Sequence, residues 1–327
     1  MLKNPYLRAA IGAVMLGLFA YLGRRCFGQI HLLREAAIGW VLLNAALFLV
    51  TRYVNGEVMR VSLRQVGHRL GHGEAFMLNL IMGYTNLILP RAGLSAPIAY
   101  LRLRHGVSYA QFTALAMPMV LLQFVVQGLL GLGACLWAVT QGETTWARQS
   151  ALVGLFALVA LGAIGMMCIH IPVPDRWQGR LAGFLRRVNA AWFILRENPR
   201  FVLHILLLQF VVAWLRAWRM QTAFLAVGMS IGLAPVLISS LCAQLALVVS
   251  LTPGALGFRE AAIVYAAARY TGDPELAFNA SVLDRLVMTL LLVVVAQVGL
   301  VWLVRPALRE AAAATPSEDP APPAERA

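Results

Sequence analysis

The sequence predicts an all-α membrane protein that crosses the bilayer several times. Three observations carry this. Hydrophobic residues fill 60% of the 327 positions and charged residues only 13%, against about half and about a quarter in soluble domains. Apolar runs of roughly 17 to 25 residues recur, the length a helix needs to cross about 30 Å of hydrocarbon. Basic residues fall mainly between these runs, so the net charge of +13 follows the positive-inside rule and nucleic acid is excluded as a partner.

The first apolar run, 9–23, follows Lys3 and Arg8 as a signal peptide would. "GRRC" comes next in place of a small-x-small cleavage site, so the run is expected to remain as the first span. Further spans are expected over 36–54, 110–139, 150–172, 201–228 and 276–304. Two weaker pieces read differently. Residues 75–89 run into Pro90 and Gly93 and resume over 92–101. Residues 233–252 run into Pro253, Gly254 and Gly257, with a moderately apolar 255–270 around them. Each reads as a helical hairpin broken by Pro and Gly, giving about six spans, and more if the hairpins cross fully. The tail 306–327 is polar and Pro/Ala-rich, too poor in apolar residues to fold, and leaves 1–305 as one integral membrane domain.

Charge orients this stack. The loops 51–74, with Arg52, Arg60, Arg64 and Arg69, and 173–200 are placed inside; 140–149, with only Glu143 and Arg148, is placed outside. Both termini are then cytoplasmic, although Arg24, Arg25 and Arg34 fall outside. By parity the 75–105 piece begins and ends inside, and the 233–270 piece begins and ends outside. The two also match in sequence: Pro90 with Pro253, Tyr100 with Tyr265, Gly106 with Gly272 and Ala110 with Ala277. Units 75–139 and 233–304 thus read as an inverted repeat with broken helices, a transporter pattern; chance kinks are the alternative.

A charge inside the bilayer is costly, so it marks a functional candidate. Arg91 follows the first break and Arg259 and Glu260 follow the second. Adjacent helical residues diverge by about 100°, so Arg259 and Glu260 cannot simply neutralise each other. Each needs a further partner, either a lipid phosphate or another helix. Asp284 and Arg285, within the last long helix, could supply the latter. Arg216 and Arg219 share a face beside Trp214 and Trp218; this reads either as an interfacial aromatic belt with snorkelling arginines or as a basic lining for an anionic headgroup. Asn79, Asn86 and Gln244 read as helix-to-helix hydrogen-bonding residues.

No catalytic motif occurs, so no enzymatic activity is expected, and no cofactor. His68 and His72 have a metal-compatible i,i+4 spacing, but the glycines of "GHRLGH" favour a loop and no metal is expected. Cys26, Cys135, Cys168 and Cys242 are far apart, which supports neither a zinc site nor a disulfide framework.

"NLILPRAG" followed by "AYLRLRHGVSYAQ", and "PGALGFREAAIVY" followed by "SVLDRLVMTLLLV", resemble the lysylphosphatidylglycerol synthase transmembrane-region family over about residues 10–305. The most specific part is the run Pro253, Gly254, Gly257, Arg259, Glu260. In the first motif Leu94 follows Gly93, where the family commonly has an acidic residue. The resemblance implies a flippase-like protein of the bacterial inner membrane that handles a lipid with a charged headgroup. No soluble aminoacyl-transferase domain is expected, and so no synthesis of lysylphosphatidylglycerol; relatives linked to hopanoid and polyprenyl lipids leave the lipid open. A scaffold for a lipid-biosynthetic enzyme is the alternative, with Arg259 and Glu260 as a helix lock.

Overall fold

A computed structural model describes residues 36–88, 95–168, 179, 182–183, 186, 197–249, 255 and 257–306. The predicted span 9–23 and the tail lie outside the described residues. So do Pro90, Arg91, Gly93, Pro253 and Gly254.

All regular structure among the described residues is helical. The helices are α1 (Ile38–Arg64), α2 (His72–Ile88), α3 (Ser95–His105), α4 (Tyr109–Thr140), α5 (Trp146–Cys168), α6 (Pro199–Ala226), α7 (Leu233–Ala246), α8 (Phe258–Thr271) and α9 (Pro274–Gly299). Five helices are long and apolar enough to cross a membrane: α1, α4, α5, α6 and α9. Together they give the chain the helices of a multi-pass membrane protein.

One boundary corrects the sequence reading. The run 36–54 does not give way to a loop at 51; α1 continues for 27 residues to Arg64. Arg52 and Arg60 are therefore helical residues. The helix persists because the polar positions Asn44, Thr51, Arg52 and Asn55 recur at helical spacing, and because Glu57 holds Arg60 at 2.7 Å three residues on. His68 does lie in the connecting loop, but His72 opens α2, with Nδ1 2.5 Å from Glu57 Oε1. α7 ends at Ala246, earlier than expected, and passes into a short 3-10 turn, Leu247–Val249.

The two broken units share a succession of short, short and long helices. Their lengths are 17, 11 and 32 residues for α2, α3 and α4, and 14, 14 and 26 for α7, α8 and α9. The turns match as well. Gly106 and Gly272 end the second arms with φ of 68° and 70°, a conformation glycine adopts without steric penalty. Ser108 and Asp273 then cap the long helices, accepting the N–H of Gln111 at 3.2 Å and of Leu276 at 3.0 Å.

Small residues let the helices approach closely, as they do where lipid removes the hydrophobic drive for association. A Cβ at Gly128 would stand 2.6 Å from Ala160, and one at Gly131 would stand 2.3 Å from the Phe156 ring. Both fix α4 against α5. Ala217, Ala223, Ala243, Ala266, Ala267 and Ala280 are buried where α6, α7, α8 and α9 meet. At the start of α2, Glu74 clamps α3: Tyr100 Oη donates to it at 2.7 Å and His105 Nε2 lies at 2.6 Å. Burial pushes the Glu74 carboxyl up, but the bonds from His105, Tyr100 and the Gly71 N–H outweigh it and hold it below its ordinary value.

Candidate functional site

The charges that sequence places in apolar helices come together. Arg259 and Glu260 open α8, and Asp284 and Arg285 lie in the first half of α9. The two adjacent pairs face each other crosswise. Arg259 Nη2 donates to Asp284 Oδ2, and Arg285 Nε donates to Glu260 Oε1 at 2.5 Å. All four side chains are buried. Within the first pair of residues the only contact is Arg259 Nη1 at 3.8 Å from Glu260 Oε1, as the divergence of neighbouring helical positions requires.

Glu260 has a second task. Its Oε2 accepts the Gly257 N–H at 2.8 Å, closing the first turn of α8 at a glycine with φ of 85°. A side chain at 257 would be strained there. Glu260 thus ties the start of α8 both to its own turn and to α9, which is the geometry of a lock.

Asp284 is the shared acceptor. Besides Arg259, it takes Arg219 Nη2 from α6 at 3.2 Å and Asn44 Nδ2 from α1 at 3.2 Å. Asn44 also donates to the Arg219 carbonyl at 2.8 Å. Four helices therefore meet on one carboxylate. A buried charge of this kind is stable only when paired and hydrogen-bonded.

Beside this network lies a cavity of about 190 Å³. Arg52 from α1, Arg216 and Arg219 from α6 and Arg259 from α8 all line it, together with Asn86 and Gln244, and no lining residue is acidic. Among the described residues Arg216 makes no hydrogen bond or ion pair. Among these residues Arg52 donates only to the Asn79 amide oxygen, at 3.4 Å. The buried Nη1 of Arg259 lacks a hydrogen-bond partner. Two of the cations lie over the Phe48 ring, with the Arg52 guanidinium 5.0 Å and the Arg219 guanidinium 5.5 Å from its centroid. Such an arrangement can bind an anion: forked donors converge from three helices, with charge that the described residues leave uncompensated.

The two arginines of α6 therefore face the cavity, and the belt reading of Arg216 and Arg219 does not hold; Trp218 beside them is 51% exposed. Asn86 and Gln244, read as helix-to-helix bonding residues, line the cavity as well. Arg52 was hidden in sequence because a charge at the end of an apolar run reads as a loop. The signal that finds it is the helical recurrence of Asn44, Phe48, Arg52 and Asn55. A second cavity of about 180 Å³ adjoins the first, sharing Asn55 and Met82 with it, and is otherwise mostly apolar, with Val58, Leu115, Met119 and Val120 in its wall.

With this geometry in place, a model of the family described as "Lysylphosphatidylglycerol synthase TM region" matches residues 6–296. The chain belongs to this family. No curated protein and no solved structure matches it. The buried cross of charges and the arginine cavity both lie inside the matched residues.

Proposed function

We propose that this protein is a lipid translocase of the bacterial inner membrane that moves a lipid with a charged headgroup and is not itself an enzyme. The observation that carries this is the carboxylate-free cavity lined by Arg52, Arg216, Arg219 and Arg259, opening beside an apolar cleft. A headgroup anion would sit among the guanidiniums while its hydrocarbon chain follows the cleft. The family supports the coarser part of this reading, a membrane protein of the lipid-modification or flippase-like type.

The broken units fit the same picture. At 1.5 Å per residue, α7 and α8 each reach only about 21 Å, short of about 30 Å of hydrocarbon. They are read as the two arms of one re-entrant hairpin that enters from the outer side, in a chain whose N and C termini are cytoplasmic. The matching turns of the two units support an inverted repeat, the architecture that places sites near the midplane.

The test is transbilayer movement of labelled lipid in liposomes. Protein-containing vesicles should move anionic lipid faster than empty ones, and Arg259→Ala should slow the movement. Vesicles that move no anionic or polyprenyl lipid faster than protein-free controls would refute the reading.

A further inference from the structure

The charge balance around the cavity narrows the headgroup, on the reading that the cavity holds one. Arg52, Arg216, Arg219, Arg259 and Arg285 set five guanidiniums against the two carboxylates of Asp284 and Glu260. Asp284 serves Arg219 and Arg259, and Glu260 serves Arg285, which leaves three positive charges in excess among the described residues. Among the described residues, neither Arg52 nor Arg216 pairs with a carboxylate. Like charges brought together without water between them are strongly unfavourable, so the site asks for more than one negative charge.

We propose that the headgroup carries about two or more negative charges, as a phosphomonoester or diphosphate on a lipid chain does, and that a cationic aminoacyl lipid is excluded. A phosphomonoester carries about −1.5 to −2 charge near neutral pH and three strong acceptor oxygens. Those oxygens suit forked donors arriving from α1, α6 and α8. A phosphodiester supplies a single charge and leaves two in excess. A lysyl headgroup carries its own ammonium groups into a cavity whose charged lining residues are all arginines. The lipid part of the assignment rests on the apolar cleft that shares Asn55 and Met82 with the cavity.

The full chain in phosphatidylcholine nanodiscs tests this. Phosphatidic acid, a polyprenyl diphosphate, phosphatidylglycerol and lysylphosphatidylglycerol are titrated in separate arms, with soluble inorganic phosphate in another, and the unfolding midpoint is read. Phosphatidic acid and the diphosphate should raise the midpoint, phosphatidylglycerol should do so weakly, and lysylphosphatidylglycerol not at all. Arg216→Gln should bind phosphatidic acid roughly tenfold to a hundredfold more weakly. Without added lipid, the same variant should unfold at a higher temperature, because it removes a cation that has no partner. Arg52→Gln provides the second variant and should behave alike.

Lysylphosphatidylglycerol raising the midpoint as much as phosphatidic acid would overturn the assignment. So would an unchanged affinity in both variants, or a full shift from inorganic phosphate alone. The translocase reading fails separately. Selective dianion binding without transbilayer movement removes the translocase and keeps the headgroup; movement without dianion preference does the reverse.

Discussion

Glu260 and Arg285 can be separated from the arginine cavity by a double-mutant cycle. The perturbation is Glu260→Gln, Arg285→Met and the two together. Glu260→Gln keeps the shape and an oxygen for the Gly257 N–H but leaves the Arg285 guanidinium, buried and 2.5 Å away, without its counter-charge. At about 4 Å between charge centres and an effective dielectric near 20, the lost attraction is about 4 kcal/mol. That agrees with the roughly 3–5 kcal/mol found when one partner of a buried pair is removed. In thermal unfolding in detergent, either single change should lower the midpoint by roughly 10 °C. The double variant should recover most of this, because a neutral, well-packed pair replaces a buried ion pair at little net cost. A coupling of about 2 kcal/mol or more is expected. Additive losses, with the double variant the least stable, would refute the lock. The parallel cycle on Arg259 and Asp284 should show no such rescue, because Asp284→Asn also strands Arg219 on α6.

Three further outcomes follow from the geometry. Gly131→Ala puts a Cβ within 2.3 Å of the Phe156 ring, so the α4–α5 contact must shift; a loss of about 1–3 kcal/mol in unfolding stability is expected, while Gly133→Ala, with open space around it, should cost far less. Glu74, held below its ordinary value by His105, Tyr100 and Gly71, gives stability that is fully present above the unfolded-state value of about 4.3 and is lost as pH falls through the lower folded value; Glu74→Gln should unfold earlier at neutral pH and show a flatter acid limb in a pH series of unfolding midpoints. Arg52→Ala should leave folding intact, since Arg52 donates only to Asn79 among the described residues, yet slow lipid movement in the liposome assay as strongly as Arg216→Ala.

Much of this architecture was legible in the sequence because lipid imposes a length on every span. The runs 110–139, 150–172, 201–228 and 276–304 each fall within a few residues of α4, α5, α6 and α9. The pairing logic was legible too: Arg259 and Glu260 needed partners elsewhere, and Asp284 and Arg285 supply them. What sequence could not give was the crossing order of the pairs, which depends on how α8 packs on α9. It also misplaced Arg52, since charge at the end of an apolar run marks a loop as readily as a buried polar face. Three dimensions separate those cases by showing Asn44, Phe48 and Arg52 on the side of α1 that meets α6 and α9.

Phe48 has a consequence of its own. An aromatic face attracts a cation by about 0.5–2 kcal/mol while contributing no charge. In contact with both Arg52 and Arg219, it steadies two mutually repelling groups without neutralising either. An acidic residue at the same position would hold both arginines far more firmly and, by satisfying them, silence the cavity toward any incoming anion. Phe48 supports the arginines and leaves their charge available to a ligand.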